Sequence, residues 1–227
     1  MEKFRTFDPC TLLSPVPAVM VSCRGTDKDA TPNIITVAWA GTVNSEPPMV
    51  SVSIRKTRLS HDIIRDSGEF VVNLVDAERC KALDFCGVRS GREVDKFAHC
   101  GLTPMPARNM NHAPAIAECP AYLACRVRQV LELGSHDMFI GEVVGVQVRD
   151  DLFDADGSLH LERAGLVAYN HGVYQRSADV LGFFGYSVAR EDVLHRRLIE
   201  PYRQDKPSGK TPAAGKRPGG RKGGARR

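Results

Sequence analysis

Residues 33–74 read NIITVAWAGTVNSEPPMVSVSIRKTRLSHDIIRDSGEFVVNL, and this stretch decides the fold. Ile34–Ala40 is a β-branched, apolar run and reads as a strand. From Met49 to Ile54, Val50, Val52 and Ile54 alternate with Ser51 and Ser53, the period of a half-buried strand. Between them, Ala38-Trp39-Ala40-Gly41-Thr42-Val43-Asn44-Ser45 reads as a loop of small residues, where backbone can come close to a flat ligand. The second strand runs into Arg55-Lys56-Thr57-Arg58-Leu59-Ser60-His61. Leu59, Ile63 and Ile64 then fall at helical spacing, and Gly68 supplies the stop. Phe70, Val72 and Leu74 resume the alternation of a strand.

The basic, hydroxyl-rich turn lies directly before the helix. A helix start presents unpaired N–H groups and the positive end of its dipole, and guanidinium and hydroxyl groups beside it add charge-assisted hydrogen bonds. A phosphate dianion fits such a place, with Arg55 and Ser60 as its first candidates, Thr57 next, and Lys56 and His61 less defined in role. The bland alternative is a capped helix start with a solvated basic face. A phosphate at one end of the stretch and a planar ring along the loop at the other describe flavin mononucleotide (FMN).

Outward from this stretch, Pro17–Cys23 reads as a strand that forms a hairpin with Ile34–Ala40. Residues 77–85 read as a helix with Leu83 inward. The three prolines of 103–117 mark an irregular excursion, and 150–163 read as a surface connection. Ala121–Leu133 and Phe139–Val148 are long strands, and the four residues Gly134–Asp137 fit a hairpin between them. Strands dominate and the helices are short. The expected fold is mainly β, a closed or nearly closed antiparallel barrel.

Composition narrows the class. The chain has 227 residues, enough for one well-buried domain, and 42% are hydrophobic. No apolar run has transmembrane length, and MEKFRTFDPC lacks the apolar core of a signal peptide, so a soluble cytoplasmic protein is expected. Nine Lys/Arg and one Asp give residues 203–227 a charge of +8, so residues 1–202 carry −4 of the net +4. The domain, 1–202, is thus mildly acidic and gives no sign of nucleic-acid binding: only the basic tail offers phosphate neutralisation, without aromatic residues for stacking. That tail, 203–227, has no large apolar residue and is expected to be disordered. The seven cysteines are odd in number and include no C-x-x-C, so neither a disulfide framework nor a metal site is expected. They read as small buried hydrophobes, with Cys119 or Cys125 as a redox thiol the sharper alternative.

The stretch 33–74 resembles the flavin reductase-like family, the FMN-binding split barrels that include flavoredoxin. Cys86-Gly87-Val88-Arg89-Ser90-Gly91-Arg92-Glu93-Val94-Asp95-Lys96-Phe97 is similar to that family's SGR…DKF stretch. Glu118-Cys119-Pro120 to Cys125, Leu133 to Val143, and Leu166, Tyr169, Gly172 and Tyr174 resemble its later motifs, so the likeness covers about residues 12–188. The resemblance implies a split barrel that binds FMN, with FAD as the alternative, and takes electrons from NADH or NADPH. It places the 36–44 segment along the isoalloxazine edge, with Thr36, Ala38, Trp39, Ala40, Gly41, Thr42 and Asn44 as contacts. Ser90, Arg92 and Lys96 fall beside the flavin or at a dimer contact, and a polar loop is their bland alternative. His136, read as a hairpin-tip histidine, falls near the flavin or nicotinamide as the candidate catalytic group, with a solvated turn histidine as the bland alternative. A homodimer is implied, with a flavin, a metal complex or a protein as electron acceptor. The family also holds electron carriers without nicotinamide activity. No G-x-G-x-x-G stands in a strand–helix setting, which separates neither reading from the other.

Overall fold

A computed structural model describes residues 3–177 and 179–199. These fall into two compact units that divide at position 178. The basic tail expected from residue 203 lies outside the described residues.

In chain order the first unit contains β1 (Val16–Pro17), β2 (Val19–Cys23), β3 (Asn33–Val37), β4 (Ala40–Ser45), β5 (Pro48–Arg55), α1 (Leu59–Ser67), β6 (Glu69–Leu74), α2 (Cys80–Val88) and α3 (Lys96–Cys100). It continues with β7 (Pro104–Met105), β8 (Ala115–Ile116), β9 (Ala121–Glu132), β10 (His136–Val148), β11 (Val167–Asn170) and β12 (Val173–Arg176). Seven strands form one antiparallel sheet in the order β3-β2-β6-β9-β10-β5-β4. Its two edge strands, β3 and β4, are joined directly through Ala38 and Trp39, and the Ser53 N–H donates to the Trp39 carbonyl at 2.9 Å. The sheet therefore curls until its edges nearly meet, which gives a split barrel. The second unit holds a short helix, α4 (Glu191–Leu194), and the Arg197 guanidinium lies 4.4 Å from the centroid of the Phe183 ring.

Strand alternation divides the core into two clusters. Val19, Val21 and Cys23 of β2 and Phe70 and Val72 of β6 pack inside the barrel with Val52, Ile54 and Phe139. Met20 and Ile34 face the other way, against Leu83, Cys86, Phe97 and Ile116. β2 is thus buried on both faces, which explains why it is apolar at every position but Ser22. Asn73 lies in the second layer, and its amide donates to the Met20 carbonyl and Ser22 Oγ, each at 2.9 Å, and accepts from the Ile116 N–H at 2.9 Å. α1 closes one end of the barrel with Ile64, and Gly68, at φ 70°, ends it as expected.

Three expectations are revised here. The small-residue segment 40–45 is an edge strand, not a loop, because its backbone pairs with β5 from Ala40↔Val52 to Ser45↔Pro48. His136 is not at a hairpin tip. It is the first residue of β10, opposite Arg55, and the connection shortens to residues 133–135. The excursion 103–117 contains the β7–β8 ladder, and the Glu69 carboxylate anchors it by accepting from the N–H groups of Asn111, His112 and Ala113. No helix among the described residues is long and apolar enough to cross a membrane.

A β-bulge after Ile140 sets Gly141 against the core. A Cβ there would lie 2.6 Å from Cζ of the fully buried Phe70 and 3.0 Å from Cβ of Cys125. We expect Gly141→Ala to destabilise the fold by about 1–3 kcal/mol through overpacking. Equilibrium denaturation measures it, and an unchanged midpoint would mean that the bulge yields freely.

Candidate functional site

The turn between β5 and α1 is built by local backbone rules. The Arg58 N–H donates to the Arg55 carbonyl and the His61 N–H to the Arg58 carbonyl, each at 3.0 Å, and Arg58 takes the extended N-cap conformation that starts α1. No side chain caps the helix. Its first N–H groups are left to whatever occupies the space beyond.

That space is a cavity of ≈ 340 Å³. Arg55, Thr57, Arg58 and Ser60 form one wall, and Arg89, Ser90, Arg92 and Lys96 form the facing one. No carboxylate lines it. Arg92 clasps the walls together, donating to the Thr57 carbonyl at 3.1 Å and pairing with Asp62 at 3.4 Å. Arg58 is steadied by the Gly87 carbonyl at 2.9 Å. Ser60 is 1% exposed and its Oγ accepts from Asn33 Nδ2 at 2.9 Å. Gly91 packs on that same Asn33 so closely that any Cβ would collide with its amide. Among the described residues, the guanidinium groups of Arg55 and Arg89 have no hydrogen-bonding or ion-pairing partner.

Lys96 is the most telling group. It is 3% exposed, yet its ammonium meets only the carbonyls of Ile34 and Cys86, each at 2.7 Å, and no carboxylate. Burial pulls its pKa below the ordinary lysine value. A buried cation without an acidic partner is costly, and a bound anion offsets that cost. The donor set of this cavity suits a phosphate dianion.

Arg55 and Arg58 also border two further spaces. One, of ≈ 160 Å³, runs along Ile35–Trp39 and reaches His136. The other, of ≈ 610 Å³, adds the N-terminal segment around Leu13, Val88 of α2, and Tyr169, His171 and Tyr174 of the β11–β12 hairpin. Trp39 is 44% exposed, and its ring centroid lies 4.6 Å from that of His136. Partial burial, with Arg55 nearby, lowers the His136 pKa, which favours the neutral imidazole. Ser135 Oγ engages His136 Nδ1 at 2.9 Å.

Of the residues singled out by sequence, the structure brings Arg55, Thr57, Ser60, Ser90, Arg92 and Lys96 to the cationic cavity, and Thr36, Ala38, Trp39 and His136 to the adjoining spaces. The Thr36 hydroxyl is committed to the Leu83 carbonyl. Six others lie off the cavities. Ala40, Gly41, Thr42 and Asn44 belong to the β4 ladder, and the Asn44 amide caps the Pro47 carbonyl at 2.8 Å. Lys56 projects across the strand to Glu132 at 3.0 Å and Asp137 at 3.3 Å. His61 is buried inside, between Asp137 at 2.8 Å and Asp62 at 3.1 Å, and packs edge-on to Phe139. Residues that sequence reasoning left out of the site are Asn33, Arg58, Arg89 and Gly91. Arg58 was visible in the basic turn; Asn33 reaches the site only through the β3–α1 contact. Burial pushes the Cys119 and Cys125 thiols up to about 12, which disfavours the thiolate that a redox thiol needs.

The model of the flavin reductase like domain matches residues 13–177. The chain belongs to the flavin reductase-like family. Flavoredoxin of Desulfovibrio vulgaris (Miyazaki F) superposes with a TM-score of 0.75 at 28% identity, over 82% of this chain and 100% of that one. A protein of Archaeoglobus fulgidus is 33% identical over 123 residues, which is 54% of this chain and 69% of that one. The reductase component of a 4-nitrophenol monooxygenase from Rhodococcus opacus is 30% identical over 119 residues, 52% of this chain and 60% of that one. Membership makes this chain a flavin reductase-like protein with an FMN-binding split-barrel fold.

Proposed function

We propose that the protein is an FMN-dependent oxidoreductase, acting as a cytoplasmic homodimer, that moves electrons from NADH or NADPH to a flavin, a metal complex or a protein acceptor. The observation that carries this reading is the carboxylate-free cationic cavity, with its buried Lys96 facing two carbonyls and no carboxylate, which shares Ile35, Arg55 and Arg58 with the space bounded by Trp39 and His136. Likeness to the Rhodococcus reductase component supports the reductase assignment. Bound flavin would supply the hydride-accepting ring.

The chain's own residues bind and orient. Arg55, Arg58, Ser60 and Lys96 hold the phosphate, with the first N–H groups of α1. Segment 36–39 and His136 flank the ring. Neutral His136, with Nδ1 engaged by Ser135, retains Nε2 to exchange a hydrogen bond or proton with the ligand. Hydride transfer between two bound rings asks for alignment more than for a protein nucleophile.

The test is an anaerobic titration of the FMN-loaded protein with NADH and then NADPH, following the oxidised-flavin absorbance. Rapid bleaching by one of them is expected. FMN that stays bound but oxidised would sink the reductase assignment. Likeness to flavoredoxin favours one second reading, an electron carrier reduced by a partner protein, and that outcome would select it.

A further inference from the structure

His61 and Asp137 are buried, and neither borders the cationic cavity. A buried polar pair adds little to stability, and apolar side chains of the same volume would fill the space as well or better. The contacts of the imidazole run outward in two directions. On one side Nε2 lies 2.8 Å from Asp137 Oδ2 of β10, and the ring stands edge-on to Phe139. Asp137 is held in turn by Lys56 at 3.3 Å, and Lys56 also pairs with Glu132 of β9. On the other side Nδ1 lies 3.1 Å from Oδ1 of Asp62, the next residue of α1. The ring is thus fixed to the barrel strands where it meets Asp62.

Asp62 is where this chain of contacts reaches the cavity. Its carboxylate divides its oxygens: Oδ1 faces His61, and Oδ2 lies 3.4 Å from Arg92 Nη2. A competitor is close, since Arg65, one turn along the helix, is 3.7 Å from Oδ1. Exposed ion pairs are weak, because holding two long side chains in one geometry costs entropy. A buried ring on Oδ1 decides which way the carboxylate turns, and Oδ2 is then aimed at Arg92. Arg92 also donates to the Thr57 carbonyl. Among the described residues it is the side chain of the 89–95 loop that hydrogen-bonds across to the β5–α1 turn, so it sets how the two walls of the cavity face each other.

We propose that His61 is a positioning residue of the phosphate cavity: anchored by Asp137, it orients Asp62, and Asp62 holds Arg92 where the facing wall closes on the phosphate. The proposal rests on the flavin reading above.

The experiment compares FMN with riboflavin, the same ring without the phosphate, by quenching of flavin or Trp39 fluorescence in the full chain. His61→Gln presents one polar end where the imidazole has two, so it keeps a partner for Asp137 and cuts the link to Asp62. Asp62→Ala cuts the link from the other side, at a half-exposed helix position that tolerates alanine, and keeps the comparison available if the buried substitution prevents folding. Each variant should raise the FMN dissociation constant about three- to tenfold, the worth of one hydrogen bond, and leave that of riboflavin unchanged. Asp62→Ala should do so although it removes a negative charge from beside a phosphate. In an Arg92→Ala background neither substitution should have a further effect, because the three residues act as a unit. Equal weakening of the two flavins overturns the proposal by making His61 a residue of the fold alone. An unchanged FMN constant, tighter FMN binding by Asp62→Ala, or an effect that persists in the Arg92→Ala background overturns it too. Wild-type protein that binds FMN no tighter than riboflavin sinks the phosphate reading of the cavity itself, and the proposal with it.

Discussion

Lys96→Met should weaken FMN binding by about 1.5–3 kcal/mol, the worth of one hydrogen bond to a charged group, and should leave the ligand-free protein as stable as before or more so. The two effects have opposite sign because the same ammonium serves the anion and burdens the fold. Without an anion, Lys96 is a charge held in the interior by two carbonyls. Methionine has similar length, fills the same space and carries no charge. With phosphate present, the charge is what binds.

The pH dependence separates the two roles. Burial lowers the folded pKa of Lys96 from 10.5. Between that lowered value and 10.5 the unfolded chain binds more protons than the folded one, so the Lys96 contribution to stability rises with pH. The buried thiols of Cys23, Cys86, Cys119 and Cys125, pushed up to about 12, act the other way, losing stability as pH rises above the ordinary thiol value. The informative quantity is therefore the difference between wild type and Lys96→Met. Urea denaturation across alkaline pH, with and without FMN, should show wild-type stability gaining on the variant as pH rises. Bound FMN should flatten that gain by restoring a counter-charge. A difference that does not change with pH would mean that Lys96 is better solvated than its surroundings indicate.

The parts of this architecture that sequence reveals are those written in short-range periodicity. Val50, Val52 and Ile54 announce β5, and Gly68 announces the end of α1, because each is decided by its neighbours in the chain. The basic turn announces an anion for the same reason: Arg55, Arg58 and Ser60 are close in sequence and fold into one wall. The facing wall is another matter. Resemblance pointed to Ser90, Arg92 and Lys96, but Arg89 and Asn33 join the site only through the packing of α2 and β3, which no local pattern encodes. β4 misled because its small, exposed residues carry no apolar alternation; an edge strand paired on one side needs none. Lys56 and His61 misled for a different reason. Each has the right chemistry at the right point of the turn, but the turn after β5 directs Lys56 toward Glu132 of β9 and Asp137 of β10, and the helical turn sends His61 inward to Asp137.

Arg55→Ala should give the second large effect, because Arg55 borders the cationic cavity and both adjoining spaces. No carboxylate among the described residues neutralises it, so its guanidinium meets phosphate without first breaking an ion pair. Its loss should weaken FMN by about 1.5–3 kcal/mol, roughly a 10- to 150-fold rise in dissociation constant. Trp39, the sole tryptophan, stands at the ring end and reports binding through quenching of its fluorescence. Arg55 is also directly opposite His136 across the β5–β10 ladder, and after burial it is the second cause of the lowered His136 pKa. Removing the guanidinium should therefore raise that pKa toward the ordinary histidine value, which a proton NMR titration of the imidazole would follow. The sign is fixed: a nearby cation disfavours the imidazolium, so its removal favours protonation. If FMN affinity falls and the His136 titration moves up, one residue links phosphate binding to the protonation of the group beside the ring. An affinity that falls while the titration stays put would leave Arg55 a phosphate ligand alone, with His136 governed by its burial.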